Sequence, residues 1–129
     1  MTDTEAPLFP ACEDLTDRAE RKVCADRRMM RYLNGHLTYP QGARDVGEEG
    51  LAVISFPVDE TGRVGEPTLE RTPHPELGEE ALRVVSLMLA EHPVWIPAHS
   101  GGEAVSRVFQ LPIRFALSEP DKKHDLDRV

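Results

Sequence analysis

Near the end of the chain Phe109, Leu111, Ile113, Phe115 and Leu117 alternate with Val108, Gln110, Pro112, Arg114 and Ala116. That period of two describes a long, half-buried β-strand. Proline has no N–H to give to a ladder, so Pro112 places this strand at a sheet edge. A second alternation opens at Gly50 and sets Ala52, Ile54, Phe56 and Val58 on one face. Asp59-Glu60-Thr61-Gly62 then reads as a tight turn, with residues 63–71 returning as the hairpin partner. Pro57 sits in what ought to be a central strand, which calls for a bulge or an early end of pairing.

Two stretches carry helical spacing instead. Asp17 with Glu20 three residues on resembles a capping box and opens a helix through about Leu33. Ala19, Val23, Met30, Leu33 and Leu37 give it one apolar stripe, and Asn34-Gly35 is its expected C-terminal stop. Tyr39-Pro40 breaks the chain, and residues 41–46 suit one short helical turn before Gly47. From Leu77 to about Glu91 a second stripe comprises Leu77, Ala81, Val84, Val85, Met88 and Leu89, ended by Pro93. Trp95-Ile96-Pro97 follows as an extended apolar knot, and Ser100-Gly101-Gly102 as a loop. The single tryptophan, held between Pro93 and Pro97, reads as a core plug rather than a stacking platform.

The order α-β-β-α-β predicts an α+β fold, a small three-stranded antiparallel sheet packed against helices. Residues 1–16 are expected as an extended N-terminal segment, 17–117 as the domain, and 118–129 as a disordered polar tail. A chain of 129 residues suits one modest core, and with aromatics at 5% aliphatic packing must carry it. The net charge of -8 argues against nucleic acid or an anionic membrane surface as partner. No apolar run reaches the roughly 20 residues needed to span a bilayer. The acidic start, Met1 to Glu5, has no signal-peptide core.

Reactive chemistry is hard to find. His36, His74, His92, His99 and His124 lack the i, i+4 spacing of a helical ligand pair, so no metal site is expected. Glu48-Glu49 and Glu79-Glu80 are adjacent and do not face each other as a catalytic pair would. There is no phosphate-cradling glycine loop, and neither an enzyme nor a cofactor is expected. Cys12 and Cys24 suit one disulfide in an oxidising compartment or two reduced thiols; the bridge is our expectation.

Taken together, these pieces resemble the C-terminal domain of TonB, the energy transducer of the bacterial cell envelope. The likeness runs in order from about Arg28 to Leu117. It comprises Leu33 and Leu37 with Tyr39-Pro40, Ala43 and Gly50, then Val53, Phe56, Val58, Gly62 and Val64. Leu77, Glu80-Ala81-Leu82 and Val85 follow, then Trp95 with Pro97, and Val105 with Pro112-Ile113 and Phe115. Phe9-Pro10 and the cysteine pair resemble a variant with an extended N-terminal segment. The resemblance implies a periplasmic module that binds the TonB box, an extended segment of an outer-membrane transporter, by adding it as a strand. It implies contacts along Arg107, Val108, Phe109, Gln110, Leu111 and Arg114, with Tyr39, Pro40 and Arg44 nearby. Energy from the inner membrane would pass through that strand, although no anchor or proline-rich spacer is present in this chain. The alternatives are a freestanding interaction or scaffold domain, or a homodimer paired through edge strands.

Overall fold

The computed structural model describes residues 4–117, so the tail expected at 118–129 lies outside the described residues. Asp17 caps the first helix, α1 (Arg18–His36), where its carboxylate accepts from the Glu20 amide at 3.1 Å. A side-chain cap of this kind stabilises by about 1 kcal/mol, because it satisfies an amide that the helix cannot. Contrary to expectation, Asn34-Gly35 does not stop α1. A glycine ends a helix when it turns left-handed, and Gly35 does not. The Leu37 amide instead reaches the Leu33 carbonyl at 2.8 Å and closes a further turn.

The buried stripe of α1 also differs from the expected one. Ala25, Met29 and Leu33 enter the core, whereas Val23 and Met30 stay 58% and 43% exposed. Apolar residues recur on this helix at two angular offsets, and the one that packs is set by its neighbours. A short helix, α2 (Gln41–Asp45), follows Pro40.

The main sheet is antiparallel, ordered β3-β2-β6, with β2 (Gly50–Val58) central and β3 (Thr68–Arg71) and β6 (Arg107–Phe115) flanking it. Ala52, Ile54, Phe56 and Val58 all point inward, as their alternation requires. The return of the hairpin is shorter than residues 63–71. After an isolated Val58–Val64 bridge, regular pairing covers only Val53 to Ser55 against Thr68 to Arg71, with a bulge between Val53 and Ile54. Pro57 accounts for the gap. The Gly65 amide donates to its carbonyl at 2.8 Å, so the peptide edge of Pro57 faces the β3 side. Its missing N–H falls there, and the β2–β6 ladder continues unbroken from Gly50–Phe115 to Val58–Arg107.

Helix α3 (Pro75–Glu91) is capped by His74, whose Nδ1 accepts from the Glu76 amide. All six residues of its expected stripe are buried against the sheet. Burying each aliphatic side chain of that stripe contributes about 1.5–3 kcal/mol relative to exposure.

A second three-stranded sheet, ordered β1-β4-β5, joins β1 (Thr4–Glu5), β4 (Ala98–Ser100) and β5 (Glu103–Val105). Gly101 and Gly102 both have positive φ, 62° and 88°, as a two-residue hairpin turn of this hand demands. Through this sheet and a Leu8–Ile96 bridge, the N-terminal segment is tied to the body of the fold. Leu8 and Phe9 are buried in the same core as α1 and α3. Cys12 and Cys24 form a disulfide, Cα–Cα 6.2 Å, which fastens this segment to α1. Trp95 is 2% exposed and sits among Phe9, Phe56 and Phe109 at centroid distances of 5.2–5.4 Å.

Candidate functional site

The β6 strand pairs on one side only; among the described residues no strand lies along its other border. Ladder parity shows which groups that border presents. In an antiparallel pair the N–H and C=O of one residue point the same way, and consecutive residues alternate. Pro57 faces β3, so its partner Val108 is a residue whose peptide groups point away from β2. The same holds for Gln110, Pro112 and Arg114. Their backbones form the free border, while Arg107, Phe109, Leu111, Ile113 and Phe115 complete the ladder with β2. Pro112 stands where its lack of an N–H costs the fold nothing. The border thus offers amide donors at Val108, Gln110 and Arg114, and carbonyl acceptors at all four positions.

This parity divides the residues singled out from the sequence. Val108, Gln110 and Arg114 present both main chain and exposed side chain to the outside. Leu111 is buried, and Phe109 stacks on Phe56 at 5.3 Å with planes 19° apart, so both side chains belong to the core. Arg107 shares their parity but is exposed, at the end of the ladder opposite Val58. Neither Arg107 nor Arg114 has a carboxylate within ion-pair distance among the described residues.

Tyr39 lies at the other end of β6. Its ring stands edge-on to Phe115 at 5.6 Å, its hydroxyl donates to the Glu48 carbonyl, and the Arg44 guanidinium lies 5.4 Å above it. Burial, followed by the charge of Glu49, pushes the Tyr39 hydroxyl pKa upward against the opposing pull of Arg44. Pro40 turns elsewhere and lines a depression with Thr38, Glu76, Glu80 and Arg83 at the start of α3. Tyr39 and Arg44 are therefore grouped with each other at the Phe115 end of β6, and Pro40, next in the chain, lines the depression beside α3. The end of β6 is held by Glu49, whose carboxylate accepts from the Leu117 amide at 2.8 Å.

One feature beside the border was not anticipated as a site. Met30, Asn34 and Leu37 overhang it with Ile113, Arg114 and Ala116 beneath, leaving a groove of about 480 Å³. Met30 and Leu37 appear in the sequence as apolar residues at helical spacing, a signal that reads equally well as core. Among the described residues, no group of three His, Cys, Asp or Glu side chains is placed to hold a metal. No helix among them is long and apolar enough to cross a membrane.

Comparison with known proteins identifies what this architecture is. Solved structures of the TonB C-terminal domain of Helicobacter pylori share the fold. The longer of two, spanning residues 179–285 of that protein, aligns at a TM-score of 0.55 and 19% identity, covering 72% of this chain and 80% of that one. The shorter, residues 194–285, aligns at 0.52 and 22%, covering 72% and 94%. Comparison with curated proteins by sequence gives no match. The family described as Gram-negative bacterial TonB protein C-terminal matches residues 35–117, which take in the end of α1, both long strands and the border of the second. The chain belongs to the TonB C-terminal family.

Proposed function

We propose that this domain captures an extended segment of an outer-membrane transporter, the TonB box, by strand addition along β6 in the bacterial periplasm. The captured strand then couples inner-membrane energy to transport. TonB C-terminal domains are non-catalytic interaction domains of the bacterial envelope that engage outer-membrane transporters. The observation that supports strand addition here is the unpaired border of β6, with three amides and four carbonyls turned outward. Main-chain hydrogen bonds made there give affinity that tolerates many sequences, and alternate side chains give selectivity. Tyr39 and Arg44 flank the Phe115 end of the incoming strand. Titration of the isotope-labelled protein with a transporter N-terminal peptide should shift the Val108, Gln110 and Arg114 amides ahead of all others. An undisturbed β6 at saturating peptide overturns the proposal.

A further inference from the structure

Two unpartnered features adjoin at this border, and only one shape of occupant satisfies both. The first is the open backbone of β6. The second is the outer apolar stripe of α1, at Ala19, Val23 and Met30 and continuing to Leu37. Ala19, Val23 and Met30 stay exposed while Leu37 packs in part against the core, and Met30 and Leu37 overhang that backbone to form the groove. An extended chain laid along β6 alternates its side chains between the two sheet faces. Those on the inner face enter the groove beneath Met30 and Leu37. Their immediate neighbours emerge on the outer face beside the exposed side chains of Val108, Gln110 and Arg114.

Charge sharpens the choice. Helix α1 carries six basic residues (Arg18, Arg21, Lys22, Arg27, Arg28 and Arg31) against two acidic ones, Glu20 and Asp26, within a chain of net charge -8. Of the basic groups bordering the stripe and the strand, Arg27 and Arg114 have no carboxylate within ion-pair distance among the described residues.

We infer that the α1–β6 groove is a side-chain subsite that selects an acidic, aliphatic-alternating segment of a partner protein. Resting on the strand-addition reading, the inference adds a rule. An aliphatic residue must enter beneath Met30, and the residue directly beside it in sequence must be acidic to meet Arg114. Met30 and Arg114 are the specificity-determining positions, and neither supports the fold heavily, since both are exposed.

The test is a calorimetric and NMR titration with three short synthetic peptides. In the first isoleucine alternates with aspartate; in the second serine replaces isoleucine; in the third lysine replaces aspartate. The first should bind roughly tenfold or more tighter than either of the others, the size expected from losing one buried aliphatic side chain or one charge match. Met30→Asp should remove the preference for isoleucine, and Arg114→Glu should invert the preference to the lysine peptide, with thermal melts confirming that both variants fold. If all three peptides shift the β6 amides with equal affinity, the subsite is wrong and strand addition survives. If none shifts them, the strand-addition reading falls as well.

Discussion

Phe9 stands edge-on to Trp95, ring centroids 5.4 Å apart and planes at 87°. A residue that precedes the first helix thus packs directly on the aromatic cluster under β6, whose Phe109 lies 5.4 Å from the same indole. Phe9 is 5% exposed. Phe9→Ala should cost about 3–5 kcal/mol, the usual toll of a buried aromatic truncated to a cavity. Denaturant unfolding followed by Trp95 fluorescence measures it; a change below about 1 kcal/mol would mean the N-terminal segment is only loosely docked.

The disulfide closes a short loop between that segment and α1. Replacing Cys12 and Cys24 together by serine should lower stability by about 2–3 kcal/mol, through the chain entropy returned to the unfolded state. Thiol titration of unfolded, unreduced protein should find no reactive group, and two reactive thiols would refute the bridge.

Strand parity makes a sharper prediction. The Gln110 amide points away from the ladder, so Gln110→Pro should leave the melting temperature within a few degrees of wild type, as Pro112 already does at the same parity. It should nonetheless weaken segment capture, since one of three outward donors is gone. Leu111→Pro removes a ladder bond and buries a misfit, and should unfold the domain. Equal damage from both substitutions would show that the outward assignment is wrong.

Gly62 turns with φ +91°, and a Cβ there would meet the Trp95 carbonyl oxygen at 2.0 Å. The Gly62 carbonyl in turn accepts from the Trp95 amide at 2.6 Å, so this turn and the knot hold each other. Gly62→Ala should destabilise by about 1–3 kcal/mol or more, from backbone strain and the clash together. Circular dichroism melts decide it.

Two groups tie stability to pH with opposite signs. Burial pushes the Glu80 carboxyl up, but hydrogen bonds from Arg83 and the Thr38 amide, with the Arg83 charge, outweigh it and hold the carboxyl below its ordinary value. The stabilisation is present above the unfolded pKa and fades as pH falls through the lower folded one, so Glu80→Gln should flatten the acid limb of the stability curve. Tyr32 is pushed up to about 12 by burial, then by its hydrogen bond to Glu91 and that carboxylate's charge. Its stabilisation holds below the ordinary value of 10.0 and is lost as pH climbs toward 12. Both tyrosines should titrate late by phenolate absorbance, and Glu91→Gln should bring Tyr32 down while leaving Tyr39 in place.

Much of this was legible beforehand, and the rest failed for identifiable reasons. The inward face of β2, the stripe of α3, the Asp17 cap and the burial of Trp95 each follow from a period or a cap motif that one segment carries alone. The second sheet does not. Its strands are two or three residues long, too short for a period to register, and they exist because Leu8 and Ile96 meet across the fold. On α1, Val23 and Met30 satisfy helical spacing as well as Ala25 and Met29 do, and packing partners alone decide between them. The direction of the β6 amides needed the register: Pro112 hinted at an edge, but only the Gly65–Pro57 bond says which peptide groups are free.

Pro112 also bears on what the border will refuse. Two copies of this domain aligning their last strands would bring two imino nitrogens to one seam, leaving two carbonyls there without a donor. A foreign strand free of proline leaves a single such gap. Self-assembly therefore carries twice the hydrogen-bond deficit of hetero-association, and one imino acid biases an otherwise sticky margin toward strangers over siblings.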